Sequence, residues 1–379
     1  MASRWSTDRL AEEIAILGGR GLSRSEYFAE LAPRLRRVVD SDASCWHTLD
    51  PQTGLLTSDE PTELIESGVF SPEAAPGAGE LIVRSEYLVD DRNTFAQLAA
   101  RRLPVGTLEQ ATRGDLRSSP RYRHLLEPAG IPHELRAVFL IRGRAWGAVH
   151  VARRAGGEPF TQADVGALAA VATPIAKGIR GSLRFEAARR QSGAEAPGLV
   201  VLDAAGEVEM ITPAARELTA ALGAESASYG EEQLPAAVLS LAAFARHDAD
   251  PGGKVVTIPS GQGWLTLHAT SPEARDGRVA IVIESASGPR SATVRLEAHG
   301  ATAREREVAT LIARGLTNPE IATALVLSPH TVQDHVKSLF EKLGVGSRQE
   351  LVARVFLDEY LPEVVNRTPL TSYGRFEVE

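Results

Sequence analysis

The segment from Thr302 to Phe356 starts four helices in quick succession, and that density of start signals leaves few architectures open to it. Thr302-Ala303-Arg304-Glu305, Thr317-Asn318-Pro319-Glu320 and Ser347-Arg348-Gln349-Glu350 each set a hydroxyl at an N-cap position with a carboxylate three residues on. In that reciprocal box the hydroxyl accepts from a helical N–H while the carboxylate accepts from the N–H of the cap. Ser328-Pro329 marks one further start, with serine as cap and proline at the first helical position, where a missing N–H costs nothing. Thr302, Thr317, Ser328 and Ser347 are therefore the expected helix caps.

Each of the four helices carries an apolar stripe at helical spacing and so has one face to bury. The stripes are Val308, Leu311 and Ile312, then Ile321 and Leu325, then Val332, Val336, Leu339 and Leu343, and last Leu351, Val352, Val355 and Phe356. Gly315 and Gly344 follow the first and third stripes, as residues that take the left-handed conformation ending a helix. Val326-Leu327 leaves room only for a tight turn between the second and third helices, which is helix-turn-helix geometry. On the third helix His330, Gln333, Asp334, Lys337 and Glu341 share the face opposite its stripe. Such a face can be plain solvated surface, but the tight turn, the capped helix before it and the helix behind it favour a reading surface.

The runs Leu316-Thr317-Asn318-Pro319-Glu320-Ile321-Ala322, Ser328-Pro329-His330-Thr331-Val332-Gln333-Asp334-His335-Val336 and Glu341-Lys342-Leu343-Gly344-Val345, with Ser347-Arg348, resemble the LuxR-type DNA-binding domain. The resemblance implies an all-α, four-helix domain whose third helix lies in the major groove of double-stranded DNA. By position, Gln333, Asp334 and Lys337 match base-reading sites, while Thr331, His335 and Lys342 match positions that hold the DNA backbone. The side-chain chemistry agrees: an amide pairs bidentately with adenine, an ammonium donates to guanine, and a carboxylate accepts from cytosine. Asp334 has a second reading, in which it rejects wrong sites or holds Lys337 or another neighbour.

Nucleic-acid binders are commonly basic, and this chain is not, with a formal net charge of -8. Within the candidate domain Arg304, Arg306, Arg314, Lys337, Lys342, Arg348 and Arg354 are matched by Glu305, Glu307, Glu320, Asp334, Glu341 and Glu350. One copy gains little from counterion release, so a homodimer on an inverted repeat is expected. The fourth helix is the dimer contact that the resemblance implies.

With 379 residues, 43% hydrophobic and 24% charged, the chain has room for several globular domains. Two stretches, Ser285-Ala286-Ser287-Gly288-Pro289-Arg290-Ser291 and Gln191-Ser192-Gly193-Ala194-Glu195-Ala196-Pro197-Gly198, have the composition of linkers. They divide the chain into a multidomain α+β arrangement with domains over 20–185, 197–286 and 295–358, and a flexible tail over 359–379. The middle domain reads as strand, hairpin, helix and then three antiparallel strands, opening with Leu199-Val200-Val201-Leu202 and Thr212-Pro213-Ala214-Ala215. It resembles a PAS domain, with threonine where that family has asparagine. The first domain ends on a hairpin at Gly143, a Gly156-Gly157 turn and Phe160-Thr161-Gln162-Ala163-Asp164 before a long helix. That ending resembles a GAF domain without its cyclic-nucleotide signature. The helix from Thr161 through Phe185 is expected to pair with its copy in a dimer.

Enzymatic readings fail on their own requirements. Gly252-Gly253-Lys254 lacks the upstream glycine of a phosphate loop and has Val255 where a hydroxyl must bind magnesium. His133-Glu134 is followed by Ala137 where a zinc-binding histidine is required. His47, His124, His133, His150, His247, His268 and His299 show no ligand spacing, and Cys45 reads as a buried structural thiol, so neither metal nor cofactor is expected. The residues from Met1 to Leu17 carry Asp8, Glu12 and Glu13 without an apolar run, and Val165 to Ile175 is too short to span a membrane, so a cytoplasmic location is expected. The expected function is a sequence-specific, dimeric bacterial transcription regulator, not an enzyme, in which front modules answer a small-molecule or protein effector. RNA polymerase is a possible further partner through a sigma-factor-like reading, which the helix after Gly344 disfavours. The alternative from another class is a sensor whose C-terminal helices act as an interaction module.

Overall fold

The computed structural model describes residues 7–60, 62–66, 68, 78–188, 196–223, 234–247, 254–260, 263–271, 277–285, 288–352 and 354–355. The proposed tail over 359–379, Phe356, Gly252, Gly253 and residues 191–195 of the 191–198 stretch lie outside them. The chain forms two compact units, Met1–Ser285 and Ala286–Glu379.

The first unit holds two five-stranded antiparallel sheets. One consists of β1 (Ala43–Leu49), β2 (Leu56–Glu60), β3 (Val105–Thr107), β4 (His133–Ile141) and β5 (Arg144–Arg153) in the order β2-β1-β5-β4-β3. The other consists of β6 (Gly198–Leu202), β7 (Val208–Ile211), β8 (Lys254–Ser260), β9 (Gly263–Thr270) and β10 (Val279–Ser285) in the order β7-β6-β10-β9-β8. Counted within each sheet, the two orders are the same. The β4–β5 hairpin turns on Arg142 and Gly143, both at positive φ, as a two-residue turn matching the strand twist requires. Thr212 caps the helix Pro213–Gly223 by accepting from Ala215 N–H at 3.3 Å, and it also accepts from Leu199 N–H at 3.0 Å, so threonine supplies the acceptor expected of asparagine there.

The two sheets share one unit because their cores interlock. Leu55 joins the apolar cluster under the second sheet, and Tyr87 packs against it while its hydroxyl accepts from Leu56 N–H at 2.8 Å. The first domain also begins earlier than the expected boundary at 20. A helix over Thr7–Gly18 buries Leu10, Ile14 and Leu17 and packs on the 27-residue helix Gln162–Ala188, where Gly18 and Gly178 bring the two backbones together. Gly178 also leaves the space that the Tyr27 ring fills, and a Cβ there would overlap it. The long helix, expected to pair with a copy of itself, has one face packed within the chain. Its apolar residues Val165, Leu168, Val171, Ile175, Ile179 and Leu183 are buried within the chain, against the helices Thr7–Gly18 and Arg24–Leu35 and the first sheet.

The second unit is helical: Gly288–Ala298, Ala303–Ala313, Asn318–Leu325, Pro329–Leu343 and Arg348–Val352. The stretch Ser285–Ser291 holds the boundary between the two units, and within it, at Gly288, starts a helix whose Ala292 and Leu296 enter the core with Val308, Ile321, Val336 and Leu351. Of the last stripe, Leu351 and Val355 are both buried. Among the described residues no helix is long and apolar enough to cross a membrane.

Candidate nucleic-acid interface

Four capping sites fix where the second unit's helices begin. Thr302 accepts from Glu305 N–H at 3.1 Å while the Glu305 carboxylate accepts from Thr302 N–H at 2.5 Å, closing the reciprocal box. The Glu320 carboxylate accepts from both the N–H and the hydroxyl of Thr317, each at 2.7 Å. Ser328 accepts from Thr331 N–H at 3.0 Å, and Ser347 from Glu350 N–H at 3.1 Å. At this last cap the Glu350 carboxylate bonds Gly346 N–H rather than that of Ser347, so the box is displaced by one residue.

The helix ends are equally defined. Leu316 N–H bonds Leu311 O, Leu327 N–H bonds Ala322 O and Val345 N–H bonds Phe340 O, each a closure that satisfies an orphan carbonyl. Each closure needs a left-handed residue just before its donor. Gly315 and Gly344 supply two, but the third is Val326, at φ 55° and 91% exposed. It forms the turn between Asn318–Leu325 and Pro329–Leu343. Arg348 ties the last helix to the start of the second through Asn318 Oδ1 at 2.6 Å and the carbonyl of Leu316.

The helix Pro329–Leu343 divides cleanly into two faces. Val332, Val336, Leu339 and Leu343 are buried in the unit's core, whereas His330, Gln333, Asp334, Lys337 and Glu341 are exposed. Among the described residues neither Gln333 nor Lys337 has a bonded partner, so amide and ammonium stand ready within one helical turn of each other. Asp334 is held by His330, with Nδ1 and Oδ2 at 3.1 Å, and not by Lys337. Thr331 and His335 are half-buried at the edge of this face, and the Thr331 hydroxyl hydrogen-bonds the Ser328 hydroxyl at 2.8 Å.

Lys342 is engaged differently. Its ammonium donates to both oxygens of Glu305 at 2.6 Å, and the Ser338 hydroxyl donates to the same carboxylate at 2.7 Å. Glu305 is only 3% exposed. Burial alone would raise its pKa, but Lys342, the N–H and hydroxyl of Thr302, and Ser338 together pull it down to about 2. One carboxylate thus caps the first helix of the motif and anchors the end of the third. Only the cap is visible in the sequence. Arg306 is likewise spent on Glu297 at 3.0 Å, and Arg304 on Glu307 at 2.5 Å and the Leu325 carbonyl at 2.6 Å.

This unit is a helix-turn-helix domain, and residues 301–355 match the family model for bacterial regulatory proteins of the luxR family. The C-terminal domain is accordingly a luxR-type domain. It is 51% identical over 55 residues to the transcriptional regulatory protein UhpA of Escherichia coli, covering 14% of this chain and 28% of that protein. It is 47% identical over 60 residues to the probable transcriptional regulatory protein NarL of Mycobacterium tuberculosis, covering 16% of this chain and 28% of the relative. The likeness therefore spans well under two thirds of either relative and leaves the front unit outside it. Among solved structures, a phage VqmA-DPO complex overlaps 47% of this chain and 92% of its own at 19% identity, with a TM-score of 0.18, too low to bear on the fold.

Proposed function

We propose that the protein is a sequence-specific DNA-binding transcription regulator that acts as a dimer on an inverted repeat. The observation that carries this reading is the exposed pair Gln333 and Lys337, unpartnered among the described residues, on a helix whose opposite face is locked in the domain core. Gln333 and Lys337 read adenine and guanine edges in the major groove. Asp334, held by His330, accepts from a cytosine amino group or excludes sites that lack one. Thr331, His335 and Lys342 face the DNA backbone, and Lys342 does so from a position fixed by Glu305.

Dimerisation follows from the charge arithmetic of the domain. With Arg304, Arg306 and Arg348 engaged inside it, a single copy offers few cations to phosphate besides Lys342, and two copies on adjacent half-sites double that small number. In the front unit, the shared strand order and the capped helix after β7 support reading the two sheets as a GAF-like and a PAS-like module that answer an effector. Location in the bacterial cytoplasm and a non-enzymatic role belong to the same proposal.

Selection of bound sequences from random duplexes tests the reading. The expected result is a two-fold symmetric pattern whose half-sites sit about one helical turn apart or a multiple of it. Recovery of no sequence pattern, with binding no stronger than to arbitrary duplex, would favour the interaction-module alternative.

A further inference from the structure

Sheet pairing in the front unit assembles a cluster that sequence spacing hides. Cys45 and His47 lie two residues apart on β1 and so point to the same side of the sheet, and His47 is in register with Asp59 on the edge strand β2. Cys45 is in register with His150 on β5, and His150 with Arg136 on β4, so the same side continues across the sheet. Asp59 Oδ1 is 2.9 Å from Cys45 Sγ and 3.3 Å from His47 Nδ1, and one ligand atom from each of the three residues falls within 4.8 Å of the others.

The space beside Cys45 and His47 is small. A cavity of about 30 Å³ is lined by Cys45, His47, Glu134 and His150 together with Arg121, Arg136 and aliphatic side chains. That volume holds one water or one ion, and not an organic effector. His47 is 2% exposed, yet its Nδ1 makes no hydrogen bond, and the Nε2 of His150 makes none either. A buried ring nitrogen left without a partner costs stability unless something else satisfies it.

The neighbouring charges pair with one another. Arg121 forms a two-pronged bond to Glu134 at 3.1 and 2.8 Å, and Arg136 bonds Glu86 at 2.6 Å, with Asp91 accepting from Arg121 N–H at 2.8 Å.

We propose that Cys45, His47 and Asp59 bind a divalent transition-metal ion of the zinc class, with the fourth coordination position facing the cavity and His150. Thiolate, imidazole and carboxylate are together a donor set for such an ion. Tetrahedral ligation at ordinary zinc bond lengths sets imidazole nitrogen and carboxylate oxygen roughly 3.3 Å apart and sulfur about 3.5 Å from each. The His47–Asp59 separation of 3.3 Å already meets this, and the shorter Cys45–Asp59 distance opens when the thiol proton leaves to solvent and the ion takes its place. Asp59 lies on the edge strand β2 and is 12% exposed, against 2% for His47. This inference is independent of the DNA-binding reading.

The test is titration of the metal-stripped, reduced full-length protein with cobalt(II), followed by displacement with zinc. Because Cys45 is the chain's single cysteine, any thiolate-to-cobalt charge-transfer band must come from it. The expected result is one cobalt per chain with that band, displaced by zinc and lost in Cys45→Ser. Affinity should fall at least as far as the roughly 10–100-fold that loss of an outer-shell partner costs, in both His47→Ala and Asp59→Asn. Asp59→Asn lies on the edge strand and serves as the reporting variant if either buried substitution fails to fold. A wild-type spectrum without the thiolate band, or affinity unchanged in a folded Asp59→Asn protein, would overturn the proposal.

Discussion

Lys337 and Lys342 sit five residues apart on one helix and do different work because of what each ammonium touches. Lys337 is exposed and, among the described residues, unpartnered, whereas Lys342 neutralises a carboxylate that is almost wholly buried. Lys342→Ala should therefore lower the C-terminal domain's stability by about 1–3 kcal/mol in urea unfolding, since it strands a buried acceptor. Lys337→Ala should leave that stability unchanged, and equal losses from the two variants would contradict the assignment. Acid gives a second handle on the same carboxylate. The folded pKa of Glu305, about 2, lies below its ordinary 4.5, so its stabilisation is complete above pH 4.5 and lost as pH falls towards 2. The domain's unfolding free energy should decline across that window in wild type and decline less steeply in Lys342→Ala. Parallel acid profiles for the two proteins would show that Lys342 is not what holds the carboxylate ionised.

At the scale of elements, the turn between the second and third helices of the motif carries backbone strain. A β-branched residue in the left-handed region costs about 1–2 kcal/mol, and glycine there gives back roughly 0.5–1 kcal/mol in unfolded-chain entropy. Val326→Gly should accordingly stabilise the domain by about 0.5–1 kcal/mol, read as a raised urea midpoint at constant slope. Destabilisation would mean that the exposed isopropyl group has a role that geometry does not reveal. Gly178 works in the opposite sense, because Gly178→Ala drives a methyl group into the Tyr27 ring and should cost about 1–3 kcal/mol in the front unit.

These two positions mark what local sequence could disclose. Caps and glycine stops follow from residues within four positions of one another, so Thr302, Thr317, Ser328, Ser347, Gly315 and Gly344 were all legible. Val326 was not, because its conformation is imposed by the helices on either side against its own preference. The helix Thr7–Gly18 escaped because its short stripe of Leu10, Ile14 and Leu17 acquires meaning only against a partner far along the chain. The exposed face of Pro329–Leu343 was legible from periodicity. The Glu305–Lys342 pair and the Cys45–His47–Asp59 cluster were not, since each is made by tertiary or cross-strand proximity and leaves no ligand spacing in the sequence.

At the scale of the whole molecule, the front 285 residues form one unit because side chains cross between its two sheet regions. Tyr87→Phe removes the acceptor for Leu56 N–H and should destabilise that unit by about 1–3 kcal/mol while leaving the C-terminal transition in place. Calorimetry should then show the front unit melting as one transition, shifted down in the variant. Separate melting of two front modules would contradict the interlocked core. The C-terminal unit bears the central claim, that the exposed face of Pro329–Leu343 reads DNA bases. The most direct measurement compares wild type and Lys337→Ala at fixed salt, on the duplex recovered by selection and on the same duplex with each half-site base pair changed in turn. We predict that the variant loses about 1–3 kcal/mol of affinity for the selected site and becomes indifferent to one base pair in each half-site. A uniform loss across every sequence, or none, would contradict it.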